Sequence, residues 1–124
     1  MRLGHMSVPG DCERISPMLS RVGNKWAALL ILVMSERPKR FNDLRREVES
    51  ISQRMLTQTL RGLERDGLVS RTVVPTTPPQ VTYALTPLGE TLIEPLYALC
   101  LWSAENVDAV EAHQRDFDAR GGPA

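Results

Sequence analysis

The chain has 124 residues, of which 42% are hydrophobic, 24% charged and 5% aromatic, and its 15 basic and 15 acidic side chains cancel. A domain of this length builds one core and buries roughly two thirds of the surface its unfolded chain exposes, which leaves little interior for a deep catalytic cavity. The longest apolar run, Trp26 to Met34, is about half of the ~20 residues a membrane-spanning helix needs, and no apolar signal segment opens the chain, so the expected location is the cytoplasm with no membrane partner.

Neutrality conceals a division along the chain. Residues 36–71 carry nine Lys/Arg against six Asp/Glu, a balance of +3, residues 86–124 carry two against seven, or −5, and residues 1–35 add +2. A basic middle and an acidic end suit a chain that sets one segment against a polyanion; a solvated helix face gives the same imbalance, and charge alone leaves both open. Cys12 and Cys100 lie far apart with no partner at metal-ligand spacing, so neither a disulfide scaffold nor a metal or other cofactor is expected. His5 and His113 sit in the two terminal regions, and no nucleophile–base pair or Gly-rich phosphate loop is present, so no enzyme is expected.

Residues 1–11 read as a flexible N-terminus. Ile15, Met18, Leu19 and Val22 then recur at helical spacing, until Gly23-Asn24 interrupts. The following helix, Trp26 to Met34, is apolar on every side and is expected to be buried all round, with Lys25 and Trp26 packing and solvating its start. Glu36-Arg37-Pro38 ends it. Phe41, Leu44 and Val48 stand at i, i+3 and i+7 of a short amphipathic helix with Asn42 as its cap; the Arg40-Phe41 pair reads as a short strand or as mere helix entry. After a break at Glu49-Ser50-Ile51, Leu56, Leu60 and Leu63 form one stripe of a longer helix, about 52–66, closed by Gly67 at C′.

The next segments, 68–74 and 81–85, are rich in β-branched residues and flank Pro75-Thr76-Thr77-Pro78-Pro79-Gln80, which predicts a two-stranded hairpin over about 68–85. Thr86 caps a final helix with Pro87 at N1, running to about residue 113 with Pro95 as the place for any kink. Residues 116–124 read as a flexible tail, leaving one domain over 12–115. The fold class is mainly α with a small β-hairpin (α+β): a winged helix-turn-helix with N- and C-terminal dimerisation helices.

Groove dimensions say what such a fold does with DNA. The helix beginning near Ser52 fits the major groove, where Gln53, Arg54, Thr57 and Gln58 meet base edges, and Ser52 and Arg61 belong to the same DNA-binding face. Arg40, Arg45 and Arg46 suit phosphates, and Arg71, Thr72, Thr76, Thr77 and Gln80 carry the wing to the backbone or minor groove. Two points stay open at this level. Arg61 and Arg65 lie beside Glu64 and Asp66, so an ion pair competes with DNA, whereas Arg54 has no acidic neighbour at i±3 or i±4. Gln53 either completes a capping box with Ser50 or reaches a base. A winged helix used only for protein contacts would expose Leu, Phe or Tyr on this face instead.

The C-terminal helix is apolar around nearly its whole circumference at Leu96, Tyr97, Leu99, Cys100, Leu101 and Trp102. One small domain cannot cover every side of it, so either a second copy covers it or it folds back on its own core. In the homodimer, Ile15, Leu19, Leu96, Leu99, Cys100 and Trp102 form the interface, with Cys100 as a small core or interface residue.

These residues resemble the HxlR-type, MarR-like branch of bacterial winged helix-turn-helix transcription regulators. The resemblance spans about Cys12 to Trp102: Gly23-Asn24-Lys25-Trp26, Arg40-Phe41-x-x-Leu44, Ile51-Ser52-Gln53-x-Met55-Leu56-Thr57-x-x-Leu60-x-x-Leu63-Glu64-x-Asp66-Gly67-Leu68-Val69-x-Arg71, and Pro78-Pro79-x-Val81-x-Tyr83-x-Leu85-Thr86-x-x-Gly89. It implies a dimeric, sequence-specific DNA-binding regulator acting on an inverted-repeat operator in double-stranded DNA. Thr82 stands where the family has an acidic residue, Val74 where a tyrosine is common, and Cys12 is followed by Glu13 rather than proline. In several such proteins the N-terminal cysteine senses oxidants. The resemblance therefore carries that role to Cys12 and leaves thiol oxidation or a small-molecule effector open as the control, beside an unreactive Cys12.

Overall fold

The computed structural model describes residues 1–121, and its first residues form a small hairpin: β1 (Arg2–Leu3) and β2 (Met6–Ser7) pair antiparallel across a turn in which Gly4 takes φ +62°. Asp11 then opens α1 (Cys12–Val22), its carboxylate accepting from the Glu13 N–H at 2.8 Å, and so satisfies one of the donors a helix start leaves unpaired. α2 (Lys25–Met34) begins the same way, with Asn24 Oδ1 accepting from Trp26 N at 2.9 Å and Ala27 N at 3.4 Å. Between them a Cβ at position 23 would stand 2.8 Å from the Leu19 carbonyl oxygen, so the corner admits glycine.

α1 buries none of its residues. α2 buries Ala27, Leu30, Ile31 and Met34, one stripe at i, i+3, i+4 and i+7, while Trp26, Leu29 and Val33 remain half-buried. All-round burial is thus corrected: a unit this small packs its neighbours onto one side of the helix only.

Lys39–Arg40 form β3, immediately before α3 (Phe41–Glu47). Arg40, not Asn42, occupies the cap position, and its N–H donates to Asp43 Oδ2 at 3.1 Å. α4 (Gln53–Arg65) starts behind Ser52, whose Oγ accepts from Met55 N at 3.0 Å; the cap is therefore Ser52, and the box between Ser50 and Gln53 does not form. Asp66 ends the helix and Gly67 turns the chain at φ +76°, a conformation that favours glycine. β4 (Val69–Val74) and β5 (Gln80–Leu85) run antiparallel with Val69 opposite Leu85 and Val74 opposite Gln80. β3 adds to the other edge of β5, Lys39 opposite Tyr83 and Arg40 opposite Thr82. The sheet thus has three strands in the order β3-β5-β4 rather than two. A two-residue strand carries no alternation to read, and Pro38 merely holds the chain extended long enough to reach β5.

Leu30, Ile31, Leu44, Leu56, Leu60, Leu63 and Val69 are fully buried and form the core under the helix-turn-helix and the sheet. Thr86 ties the end of the sheet to the next helix, α5 (Pro87–Glu90): its Oγ1 accepts from Gly89 N at 3.1 Å and donates to the Gly67 carbonyl at 2.6 Å. A Cβ at position 89 would overlap the Leu68 carbonyl oxygen and lie 3.0 Å from its carbon.

The last helix is not continuous from residue 87. The chain turns at Thr91-Leu92 and restarts as α6 (Ile93–Ala119). Proline clashes with the carbonyl four residues before it, so Pro95 acts at Thr91 and itself sits in the first turn of α6, where its missing N–H is not needed. α6 also runs past residue 113, so residues 116–119 are helical; residues 122–124 of the expected tail lie outside the described residues. The chain divides into two compact units, one of Met1–Ile93 and one beginning at Glu94.

Candidate nucleic-acid interface

α4 turns Leu56, Leu60 and Leu63 into the core, and helical periodicity then sends Gln53, Arg54, Thr57, Gln58, Arg61 and Arg65 outward, where all are exposed. Its first turn holds no carboxylate, so the positive end of the helix dipole and Arg54 act together on an incoming anion. Among the described residues Arg54, Arg61, Arg65 and Arg71 enter no ion pair. Arg65 is therefore not held by Asp66, which instead pairs with Arg21 at 2.6 Å. An unpaired, exposed guanidinium keeps its donors for phosphate oxygens or for the acceptor edge of guanine.

The reading helix and the wing meet in a cleft of ≈ 410 Å³ lined by Thr57, Arg61, Glu64, Arg71 and Tyr83. Arg71 lies opposite Tyr83 in the sheet, and this register brings it into one site with Arg61. Thr72, Thr76 and Thr77 are exposed and Gln80 half-buried. Thr76 Oγ1 donates to the Pro78 carbonyl at 2.8 Å, so this hydroxyl shapes the wing tip. β4 runs on from Arg71 to Val74, about 10 Å of strand, before the chain turns at Thr76, so the tip stands away from the cleft.

On α3, Arg45 is exposed and forms no ion pair among the described residues, whereas Arg46 pairs with Asp43. The Asp43 carboxyl is held below its ordinary value chiefly by the hydrogen bond from the Arg40 N–H, which outweighs the opposing effect of burial, with smaller help from the guanidinium groups of Arg46, Arg37 and Arg40. Arg40 is exposed at the end of β3.

Two charged residues escaped sequence reasoning. Lys39 is 1% exposed, with Nζ 3.0 Å from Glu47 Oε1 and 2.9 Å from Oε2, and Glu36 3.6 Å away. Arg21 reaches Asp66 across 45 residues of sequence. Only the Glu36–Lys39 spacing is local enough to have signalled either.

The thiols differ from expectation. Cys12 is exposed as the first residue of α1, its Sγ 3.3 Å from Ser16 Oγ. Cys100 is also exposed, which corrects its placement in a core: it stands on α6, whose surface also shows Tyr97, Leu99, Leu101 and Trp102. Leu96, expected at an interface with another copy, is 7% exposed in the single chain, whereas Leu99 and Trp102 are each 57% exposed. Ile15 is half-buried and Leu19 exposed on α1. Among the described residues no helix is long and apolar enough to cross a membrane.

A three-strand wing beside a helix-turn-helix with an outward arginine face defines a winged helix-turn-helix transcription regulator. The chain belongs to the HxlR-like helix-turn-helix family, whose model matches residues 21–111. It is 41% identical over 95 residues to the HTH-type transcriptional regulator YtfH of Escherichia coli (strain K12), covering 77% of this chain and 75% of that protein. Among solved structures it is similar to the transcriptional regulator ytfH from Salmonella typhimurium, with TM-score 0.76, 37% identity, and 82% and 90% of the two chains covered. It is also similar to the redox regulator HypR in its reduced form, with TM-score 0.72, 41% identity, and 80% and 98% covered.

Proposed function

We propose that this chain represses or activates transcription by binding, as a homodimer, an inverted-repeat operator, with α4 in the major groove and the wing on the backbone or minor groove. The observation that carries this reading is the unpaired arginine face of α4 continuing through Arg61 into the cleft with Arg71. Arg54, Thr57, Gln58 and Arg61 read bases; Arg40, Arg45 and Arg71 take phosphates; Thr72, Thr76 and Thr77 carry the wing; Ser52 and Gln53 lie at the entry of the helix. Selection of bound duplexes from a random DNA library tests it, the expected product being two half-sites of opposite direction. Arg54→Ala is expected to weaken operator binding by about 1–3 kcal/mol, the cost of one bidentate base contact. Wild-type affinity in a folded Arg54→Ala, Arg61→Ala double variant overturns α4 as the reader.

Control by oxidation of Cys12 is the second reading. It is favoured by the exposure of the thiol at the start of α1 and by similarity to HypR, solved in oxidised and reduced forms. An oxidant should release wild-type protein from operator and leave Cys12→Ser bound. Equal release of both would remove Cys12 from the mechanism and point to Cys100, the other exposed thiol.

A further inference from the structure

Helix α1 buries no residue and packs mainly on α2, yet its last turn reaches the reading helix at two places. Arg21 Nε lies 2.6 Å from Asp66 Oδ2 at the C-terminal end of α4, with the side chains 39% and 16% exposed. The same guanidinium lies over Gly62, one turn earlier: a Cβ there would overlap Arg21 Nη1 and stand 3.2 Å from Cζ. Arg21 also shares a hollow with Gln58 and Thr59 of α4. Gly62 is thus the seat that admits the guanidinium and Asp66 the charge that holds it.

We propose that Arg21 is a positioning residue of the DNA-reading helix, coupling the placement of α1 to that of α4 through Asp66 and the glycine seat at position 62. This rests on the reading that α4 contacts DNA. The lever is long enough to matter: Gly62 and Arg54 are eight residues apart, about 12 Å along a helix, so a small tilt at the clamped end shifts the reading end by a comparable amount. A movement of α1 is then transmitted to the DNA face without any contact between α1 and DNA, as coupling between two sites requires.

The test compares Arg21→Ala, Asp66→Asn, Gly62→Ala and the Arg21→Ala, Gly62→Ala double variant for operator affinity, its salt dependence and thermal unfolding. Each single variant is expected to lose about tenfold in affinity, a typical coupling, at an unchanged salt slope, and the double variant to lose no more than Arg21→Ala. The loss in Asp66→Asn is diagnostic, because removal of a negative charge by itself would strengthen binding to a polyanion. Gly62→Ala raises helix propensity, so its loss cannot come from a weakened helix, but the guanidinium it meets is the far end of a flexible side chain, so the conservative Asp66→Asn decides the matter if Arg21→Ala fails to fold. Wild-type affinity throughout, with only unfolding affected, overturns the proposal in favour of a purely structural ion pair. A salt slope reduced by about one in Arg21→Ala alone overturns it in favour of a direct phosphate contact. A wild-type protein that binds no duplex removes the reading of α4 itself, whereas wild-type binding with indifferent variants removes only this inference.

Discussion

At position 89 a side chain has nowhere to go, because the Leu68 carbonyl already fills the place a Cβ would take. Gly89→Ala should therefore force the backbone apart and cost about 1–3 kcal/mol, the usual range for overpacking, read as a lower denaturant midpoint at unchanged slope. Arginines are separated by their partners in the same way. Arg45 is free and Arg46 is held by Asp43, so Arg45→Ala should lower the salt slope of DNA binding by about 0.9, the value of one phosphate contact. Arg46→Ala should lower it less, since its phosphate contact competes with an existing ion pair. Equal slopes for Arg45→Ala and wild type would return Arg45 to the solvated surface.

The start of α3 depends on an acid. Asp43 accepts from the Arg40 N–H and is held below its ordinary value of 3.8 by that bond and by the surrounding guanidinium groups. The sign of the linkage follows: the folded state favours the ionised form, so the contribution is complete above the unfolded value and fades as pH falls through the lowered folded one. Asp43→Asn should be less stable than wild type near neutral pH, and the gap in unfolding temperature should close in acid. A gap independent of pH would mean that the side-chain shape, not the charge, supports this helix start. β3, which leads directly into α3, is secured by Lys39, buried against Glu47; loss of Glu47 leaves the buried ammonium with only the more distant Glu36 as counter-charge.

The charge division falls close to the boundary of the two compact units. Residues 1–93 carry thirteen Lys/Arg against nine Asp/Glu, a balance of +4, and residues 94–124 carry two against six, −4. A basic unit for the polyanion and an acidic helix kept off it agree with the proposed arrangement. The apolar surface of α6 at Tyr97, Leu99, Leu101 and Trp102 is too large for a helix that stays in water, so sedimentation equilibrium should return twice the 13.9 kDa chain mass. Trp102→Glu should give a folded monomer with much weakened operator binding. A wild-type monomer that binds DNA one copy per site would remove both the dimer and the inverted repeat.

Periodicity and end signals are local, which is why α4 and its Gly67 stop, the wing, and the Thr86-Pro87 start were legible in the sequence alone. The outward set Arg54, Thr57, Gln58 and Arg61 followed at once, since a stripe of leucines on one side of a helix leaves the other side to water. What neighbours decide was not legible. Whether α2 is covered on one side or all round, whether Lys39-Arg40 find a strand to pair with, and whether Asp66 turns to Arg65 beside it or to Arg21 are settled by contacts between distant segments. Local spacing offers such residues several partners of similar worth, and only the packed chain brings one of them within bonding distance.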